Sequence, residues 1–336
     1  MSLLEIDNLR THFHTSEGTV KAVDGIDFRI QSGEIVGLVG ESGSGKSVTA
    51  QSIMQLIEEP GEIVEGSIRF KDHNLRDLPA DRMRQLRGSE LAMIFQDPMS
   101  AFNPTQTVGR QLHDVLRTHY SGSVSVSERL LGRDHSTELR TEVVNTLDDV
   151  GIPSPEERYS DYPHEFSGGM LQRAMVAMAT LCEPELILAD EPTTALDVTI
   201  ERQILSLFRE MVKTRDAAAL WITHDLSVVA ALCDRIIVMY AGKIMETGTV
   251  KDVLSNPQNP YTRELLKSVP RYDRPDEELH AIEGTVPTPT NLPSGCVFTD
   301  RCPDAHDACH ETHPPMYDVQ GEEDHWSACY LHEGSR

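Results

Sequence analysis

"GESGSGKS", residues 40–47, is the stretch on which the reading of the whole chain turns. An apolar run, "GEIVGLVG" (33–40), leads into it. A helically spaced segment, "SVTAQSIMQLIEE" (47–59), leads out, predicting a helix that stops at Pro60 and Gly61. Gly40, Gly43 and Gly45 let the backbone curl until successive N–H groups point inward, and the positive end of the following helix adds to them. Such a turn cradles phosphate. The run fits the G-x-x-x-x-G-K-[ST] pattern, so Gly40, Glu41, Ser42, Gly43, Ser44, Gly45, Lys46 and Ser47, with Val48 behind them, form the expected nucleotide-binding set. Lys46 is expected to reach the β and γ phosphates of ATP, and the Ser47 hydroxyl to hold Mg²⁺.

Outward from this loop, "LLEIDNL", "VDGIDFRI", "GSIRF" and "LAMIFQ" read as strands bounded by turn residues. From about residue 97 to 167 the pattern becomes helical and polar, with a loose charged middle, "SGSVSVSERLLGRDHST". That predicts an inserted helical subdomain. Beyond it, "GGMLQRAMVAMATLC" and "TIERQILSLFREMVKT" read as helices alternating with the strands "ELILAD" and "AALWITHD", which indicates a parallel sheet. "RIIVMYAG" and "KIMETG" close the core near Gly248. The predicted organisation is an ATPase domain over 1–250 and an extension over 251–336. The extension carries a helix, "TRELLKSV", a Pro-rich stretch, "VPTPTNLPSG", and four of the six cysteines.

Acidic residues outnumber basic ones by 54 to 30, a formal charge of −24, which repels nucleic acid and anionic lipid in general. A polyanionic ligand must therefore be held by a local site, and no nucleic-acid partner is expected. The charge suits a surface kept soluble in high salt. No run approaches eighteen uninterrupted apolar residues, and "MSLLEIDNLRTHFH" lacks the features of a signal peptide. A cytoplasmic chain without a membrane span of its own is expected.

A second chemical element is "LILADE" (186–191). A buried strand that closes on two carboxylates is costly unless a metal or a reaction lies there. Asp190 is expected to hold Mg²⁺ through water, and Glu191 to polarise the attacking water as general base. These two motifs establish a P-loop NTPase. Two further stretches narrow it: "FSGGMLQR" (166–173) resembles the signature loop of ABC ATPases, and "THD" (223–225) their switch histidine. Gln96 in "FQDP" and "ALD" (195–197) complete the set in order and spacing. The signature departs mildly from the commonest form, with Phe166 and Met170 where Leu and Gln are usual.

The resemblance implies an α/β fold: a RecA-like core of ABC type with an antiparallel β-subdomain and an inserted helical subdomain, followed by the small cysteine-rich extension. It implies that Ser167, Gly168 and Gly169, at a helix N-terminus, close on the γ-phosphate of ATP held by an opposing subunit. Two ATP molecules would then join a head-to-tail dimer. Gln96 is implied to contact Mg²⁺ and to link the site to the helical subdomain. His224 is implied to stabilise the γ-phosphate, and Asp197 to act across the dimer. The family stacks an aromatic on adenine; Phe13 is the candidate, with His14 and Val20 as competitors and a plain core role for Phe13 still open.

Longer stretches, "IFQDPMSAFNPTQTVGRQL" (94–112), "YPHEFSGGM" (162–170), "DEPTTALDVTI" (190–200) and "NPQNPYTRELLKSVP" (256–270), closely resemble ATP-binding subunits of the oligopeptide, dipeptide and nickel importer family. This similarity covers essentially the whole chain. It implies a peripheral ATPase on the cytoplasmic face of the cell membrane that drives two integral permease subunits, served indirectly by an extracytoplasmic substrate-binding protein. A related but distinct second ATPase subunit is the implied partner, a homodimer the alternative. Import of nickel or another small solute, or a non-transport role, are the competing readings. One uninterrupted core favours transport over repair and translation relatives.

Cys182 and Cys233 sit in apolar predicted helices and read as small buried hydrophobes. Cys296, Cys302, Cys309 and Cys329 follow a C-x5-C-x6-C-x19-C spacing. In a reducing compartment four gathered thiols point to a metal. Zinc sites usually use close C-x2-C pairs, whereas wider spacing suits a cluster whose irons each need one sulfur. A [4Fe–4S] cluster, also implied by the resemblance, is the first expectation; zinc and free thiols are the alternatives. His306, His310, His313 and His325 stand nearby as possible substitute ligands.

Overall fold

The computed structural model describes residues 2–120, 136–193, 197–268, 281–319 and 324–333. The charged stretch at 121–135, Ala195 and Leu196 of the "ALD" motif, and the end of the 256–270 segment lie outside the described residues. The chain forms two compact units, Met1–Leu78 with Leu220–Arg336, and Pro79–Ala219.

The first unit begins with β1 (Ser2–Thr15), β2 (Gly18–Gln31), β3 (Ile35–Val39), β4 (Gly61–Phe70) and β5 (His73–Asn74). β1 lies antiparallel between β2 and β4, in the order β2-β1-β4-β5. Alternation along β1 and β2 puts Leu4, Ile6, Ile26 and Ile30 inside. β3 is buried at all five positions, as the continuous run "IVGLV" requires of a strand covered on both faces.

The second unit contributes β6 (Leu91–Ile94) and β7 (Leu186–Asp190), paired in parallel from Leu91↔Leu186 to Ile94↔Ala189. Helices Val108–Tyr120 and Ser136–Asp149 pack together, burying Leu112, Leu116, Val143 and Leu147. Helices Gly168–Thr180 and Val198–Arg215 belong to the same unit.

The chain passes back to the first unit within β8 (Ala218–Thr223) and continues through β9 (Arg235–Tyr240), β10 (Lys243–Thr249), β11 (Tyr317–Asp318) and β12 (Trp326–Ser327). β3 pairs in parallel with β9, β9 antiparallel with β10, β10 with β12, and β12 with β11. The extension therefore adds two short strands to the edge of the core sheet. Among the described residues no helix is long and apolar enough to cross a membrane.

Two helix ends differ from expectation. The helix after the phosphate loop covers only Lys46–Ile53, because Gln55 turns to a left-handed φ of 52°. The Gln55 side-chain amide donates to Ser52 O at 2.8 Å, supplying a helix-end carbonyl with a partner. Helix Gly168–Thr180 ends before Cys182, which is half-buried beyond it. Cys233 caps helix Leu226–Leu232 and is buried, as a small hydrophobe should be.

Candidate functional site

In the first unit, residues 40–47 follow β3 directly and lead into helix Lys46–Ile53. Two glycines are obligatory. Gly40 has φ 152° and a Cβ there would lie 2.0 Å from Met239 O; Gly45 has φ 103° and its Cβ would lie 2.2 Å from Ala22 O. Lys46 is buried, and its ammonium donates to Gly40 O at 2.8 Å and Glu41 O at 2.9 Å. The loop thus holds its own cation in place. Ser44 is buried, while Ser42 and Gly43 are exposed and Ser47 and Val48 half-buried.

His224 follows β8 and is exposed. The neighbouring Asp225 N–H donates to Thr223 Oγ1 at 3.0 Å, and Asp225 Oδ1 accepts from Ser227 N at 2.7 Å, so the turn carrying His224 is fixed on both sides. Phe13 is half-exposed on β1 opposite Val20; a Cβ on Gly61 would come within 2.6 Å of its ring, so the ring packs over that glycine. His14 is exposed, with Nδ1 3.3 Å from Thr19 Oγ1.

In the second unit, parallel pairing of β6 and β7 delivers both C-terminal ends to the same side. Gln96, just beyond β6, consequently donates from Nε2 to Glu191 Oε2 at 3.1 Å, just beyond β7. Asp190 is buried at the strand end. Glu191 stands at φ 46°, a left-handed conformation that disfavours a side chain and tends to persist where function over-determines it.

Ser167 caps helix Gly168–Thr180, accepting from Met170 N at 3.3 Å. Ser167 and Gly168 are exposed, with open space around the Gly168 Cα, whereas Phe166 is buried. The departure at Phe166 is therefore an apolar anchor beneath an unchanged turn. Asp197 caps helix Val198–Arg215, accepting from Thr199 N at 3.0 Å and Ile200 N at 2.9 Å.

The four cysteines converge. Cys296, Cys302, Cys309 and Cys329 line one pocket with Phe298, Asp304, His306 and Tyr330, about 360 Å³ including its open mouth. Burial pushes the Cys296 thiol up to about 12 and Cys302 up to about 11, and raises Cys329, with the neighbouring thiols adding to each of these three shifts. Left to themselves these thiols stay protonated; a bound cation reverses that. Among the described residues no three His, Cys, Asp or Glu side chains are drawn together as one metal ion requires.

Of the four nearby histidines, His306 alone lines this pocket, its Nδ1 3.4 Å from Cys309 Sγ. His325 is fully buried against Glu246, at 2.7 Å, and so is spent on fastening the tail to β10. Glu246 also accepts from the backbone of Gln258 and Asn259. Burial pushes His313 down to about 4, beside Lys243 and Asp24.

Sequence reading did not find the contacts between extension and phosphate loop. Tyr261, in helix Pro260–Lys267, accepts at Oη from Glu41 N at 3.0 Å, and Arg301 pairs with the Glu41 carboxylate. No local pattern marks partners 260 positions apart in the chain.

The profile described as ABC transporter matches residues 23–194, and the profile for the C-terminal region of oligopeptide/dipeptide transporters matches residues 245–309. The dipeptide transport ATP-binding protein DppD of Bacillus subtilis is 49% identical over 93% of this chain and 90% of its own length. DppD of Haemophilus influenzae is 44% identical over 95% and 93%, and the oligopeptide transport ATP-binding protein AppD of Bacillus subtilis 44% over 99% and 97%. Among solved structures, the dimeric post-hydrolysis state of the ATP-binding cassette MJ0796 with ADP and Pi has a TM-score of 0.63 at 25% identity, covering 74% of this chain and 98% of that one.

Proposed function

The chain belongs to the ATP-binding subunits of the oligopeptide/dipeptide ABC transporters, and from this premise we propose how its residues energise peptide import. The observation that carries the proposal is the Gln96–Glu191 hydrogen bond at the shared end of two parallel strands, the end at which open α/β sheets bind their ligands.

In the proposed mechanism the loop N–H groups and Lys46 bind the ATP phosphates, Lys46 exchanging its own carbonyl partners for phosphate oxygens. Ser47, Gln96 and, through water, Asp190 would hold Mg²⁺, which would supply neutralisation of phosphate charge. Glu191 accepts a proton from the attacking water as its oxygen bonds to the γ-phosphorus and the bond from that phosphorus to the β–γ bridging oxygen breaks, releasing ADP and phosphate. His224 donates to the γ-phosphate. Ser167, Gly168 and Gly169 present a hydroxyl and helix N–H groups to ATP on an opposing subunit, and Asp197 shapes that contact. The dimeric relative with ADP and Pi supports this sandwich. Phe13 stacks on adenine.

The proposed partners are two permease subunits, a related second ATPase subunit and, on the outer side, a peptide-binding protein. Phe95 and Met99, 42% and 53% exposed beside Gln96, offer an apolar edge for a permease segment. A [4Fe–4S] cluster held by Cys296, Cys302, Cys309 and Cys329 is the proposed occupant of the lobe, supported by the four thiols lining one pocket and by their wide spacing in the chain. The acidic surface suits a high-salt cytoplasm.

Affinity purification of the tagged chain from membranes tests the transport role. Recovery of integral permease subunits is expected, and recovery of ribosomes or DNA in their place would favour a non-transport ATPase.

A further inference from the structure

Glu41 is the one acidic side chain in the 40–47 loop, and its carbonyl is 2.9 Å from the Lys46 ammonium. The residue that holds Lys46 by its backbone thus adds a negative side chain to a loop that must accept polyphosphate, and partial burial leaves that charge weakly screened. The compensating cation comes from outside every nucleotide motif.

Arg301 has a side chain only 6% exposed. Its Nη1 donates to Glu41 Oε1 at 3.1 Å, to Oε2 at 3.0 Å and to Tyr240 Oη at 3.1 Å. Nη2 donates to Ile282 O at 3.1 Å and Nε to Glu283 O at 3.0 Å, so every nitrogen of the guanidinium is used. The group lies 5.7 Å from the Tyr240 ring centre and 5.9 Å from that of Phe298. With Tyr261 on the Glu41 N–H, both backbone and side chain of this loop residue are held from the C-terminal part of the chain.

Arg301 is presented by the short turn Thr299–Arg301, which runs straight into Cys302, whose N–H donates to Thr299 O at 3.3 Å. We propose that Arg301 is a positioning residue for nucleotide binding. It neutralises Glu41 beside the phosphates, which makes the cysteine-bearing lobe a part of the ATP site and lets that lobe set its affinity. A charge-compensation role has a signature that a purely structural one lacks: deleting the arginine harms binding, and deleting the carboxylate as well restores it.

The test is binding of fluorescent mant-ADP with Mg²⁺ to the full chain, ADP being chosen because it does not need the opposing subunit. Arg301→Gln should weaken binding about tenfold, in the range for an acid left uncompensated near a charged ligand. Glu41→Gln, which leaves the Arg301 cation unopposed, should bind at least about threefold more tightly than the unmodified chain, and the double variant should return to within about twofold of it. Unchanged affinity in Arg301→Gln, or a double variant as weak as Arg301→Gln, would overturn the proposal. If Arg301→Gln does not fold by thermal unfolding, Glu41→Gln decides alone: affinity tightened at least about threefold supports charge compensation, and unchanged or weakened affinity contradicts it. Iron, sulfide and zinc analysis of each variant reads the cysteine occupant separately, so an error there leaves this result standing.

Discussion

Residues 40–47 and the four-cysteine lobe gather their chemical groups in opposite ways. The loop does it with contiguous backbone: two glycines pressed against Met239 O and Ala22 O, a helix start and one lysine. The lobe does it with four side chains scattered over Cys296 to Cys329 and gathered only by folding. A contiguous backbone device announces itself in eight letters. A gathered side-chain device announces only its ingredients. The contrast also separates roles, with the proposed reaction chemistry complete by Asp225 and the tail supplying stability and, through Arg301, tuning.

The sharpest way to break that separation is Glu191→Gln. It should bind ATP normally while steady-state hydrolysis falls by about 10²–10⁴, the usual loss for a positioned general base. Undiminished turnover would remove Glu191 from the mechanism. Its iron content should match the unmodified chain.

Cys309→Ser should do the reverse. If the lobe holds the proposed cluster, loss of one thiolate should empty it and lower the melting temperature by several degrees, because metal binding contributes folding free energy. Hydrolysis per folded molecule should stay within about tenfold, the share carried by the Arg301 link. A loss as deep as that of Glu191→Gln would show that tail and reaction are not separate. Asp197→Ala should be milder in stability, about 1 kcal/mol for a lost helix cap, read by urea unfolding.

A pH-dependent effect concerns His313. Burial holds its folded value near 4, below the ordinary 6.5, so the folded chain binds this proton less readily than the unfolded one. Its contribution is fully present above about pH 6.5 and is lost as pH falls toward 4. His313→Gln should flatten the stability slope across that window by up to about 1.4 kcal/mol per pH unit. An unchanged slope would place its proton uptake elsewhere.

Much of the fold was legible because its strands are strongly patterned: "IVGLV" is buried throughout, and "LILAD" likewise. The helix after the loop was read too long because nothing in "MQLIEE" signals the left-handed turn at Gln55. β11 and β12 were not legible at all, since two-residue strands carry no period and exist only by pairing with β10. Asp190, Glu191 and Gln96 were legible as motif members, but the hydrogen bond joining the last two follows from parallel strand register. His325 looked like a ligand beside the cysteines and serves Glu246, a distinction only burial reveals.

Reconstitution of the chain with its permease subunits in liposomes, followed by ATP hydrolysis and peptide uptake with and without peptide-loaded binding protein, tests the assignment most directly. Loaded binding protein should raise hydrolysis severalfold, with uptake that disappears in the Glu191→Gln protein. Hydrolysis indifferent to the loaded binding protein, with no peptide entering the vesicles, would contradict a role in peptide import.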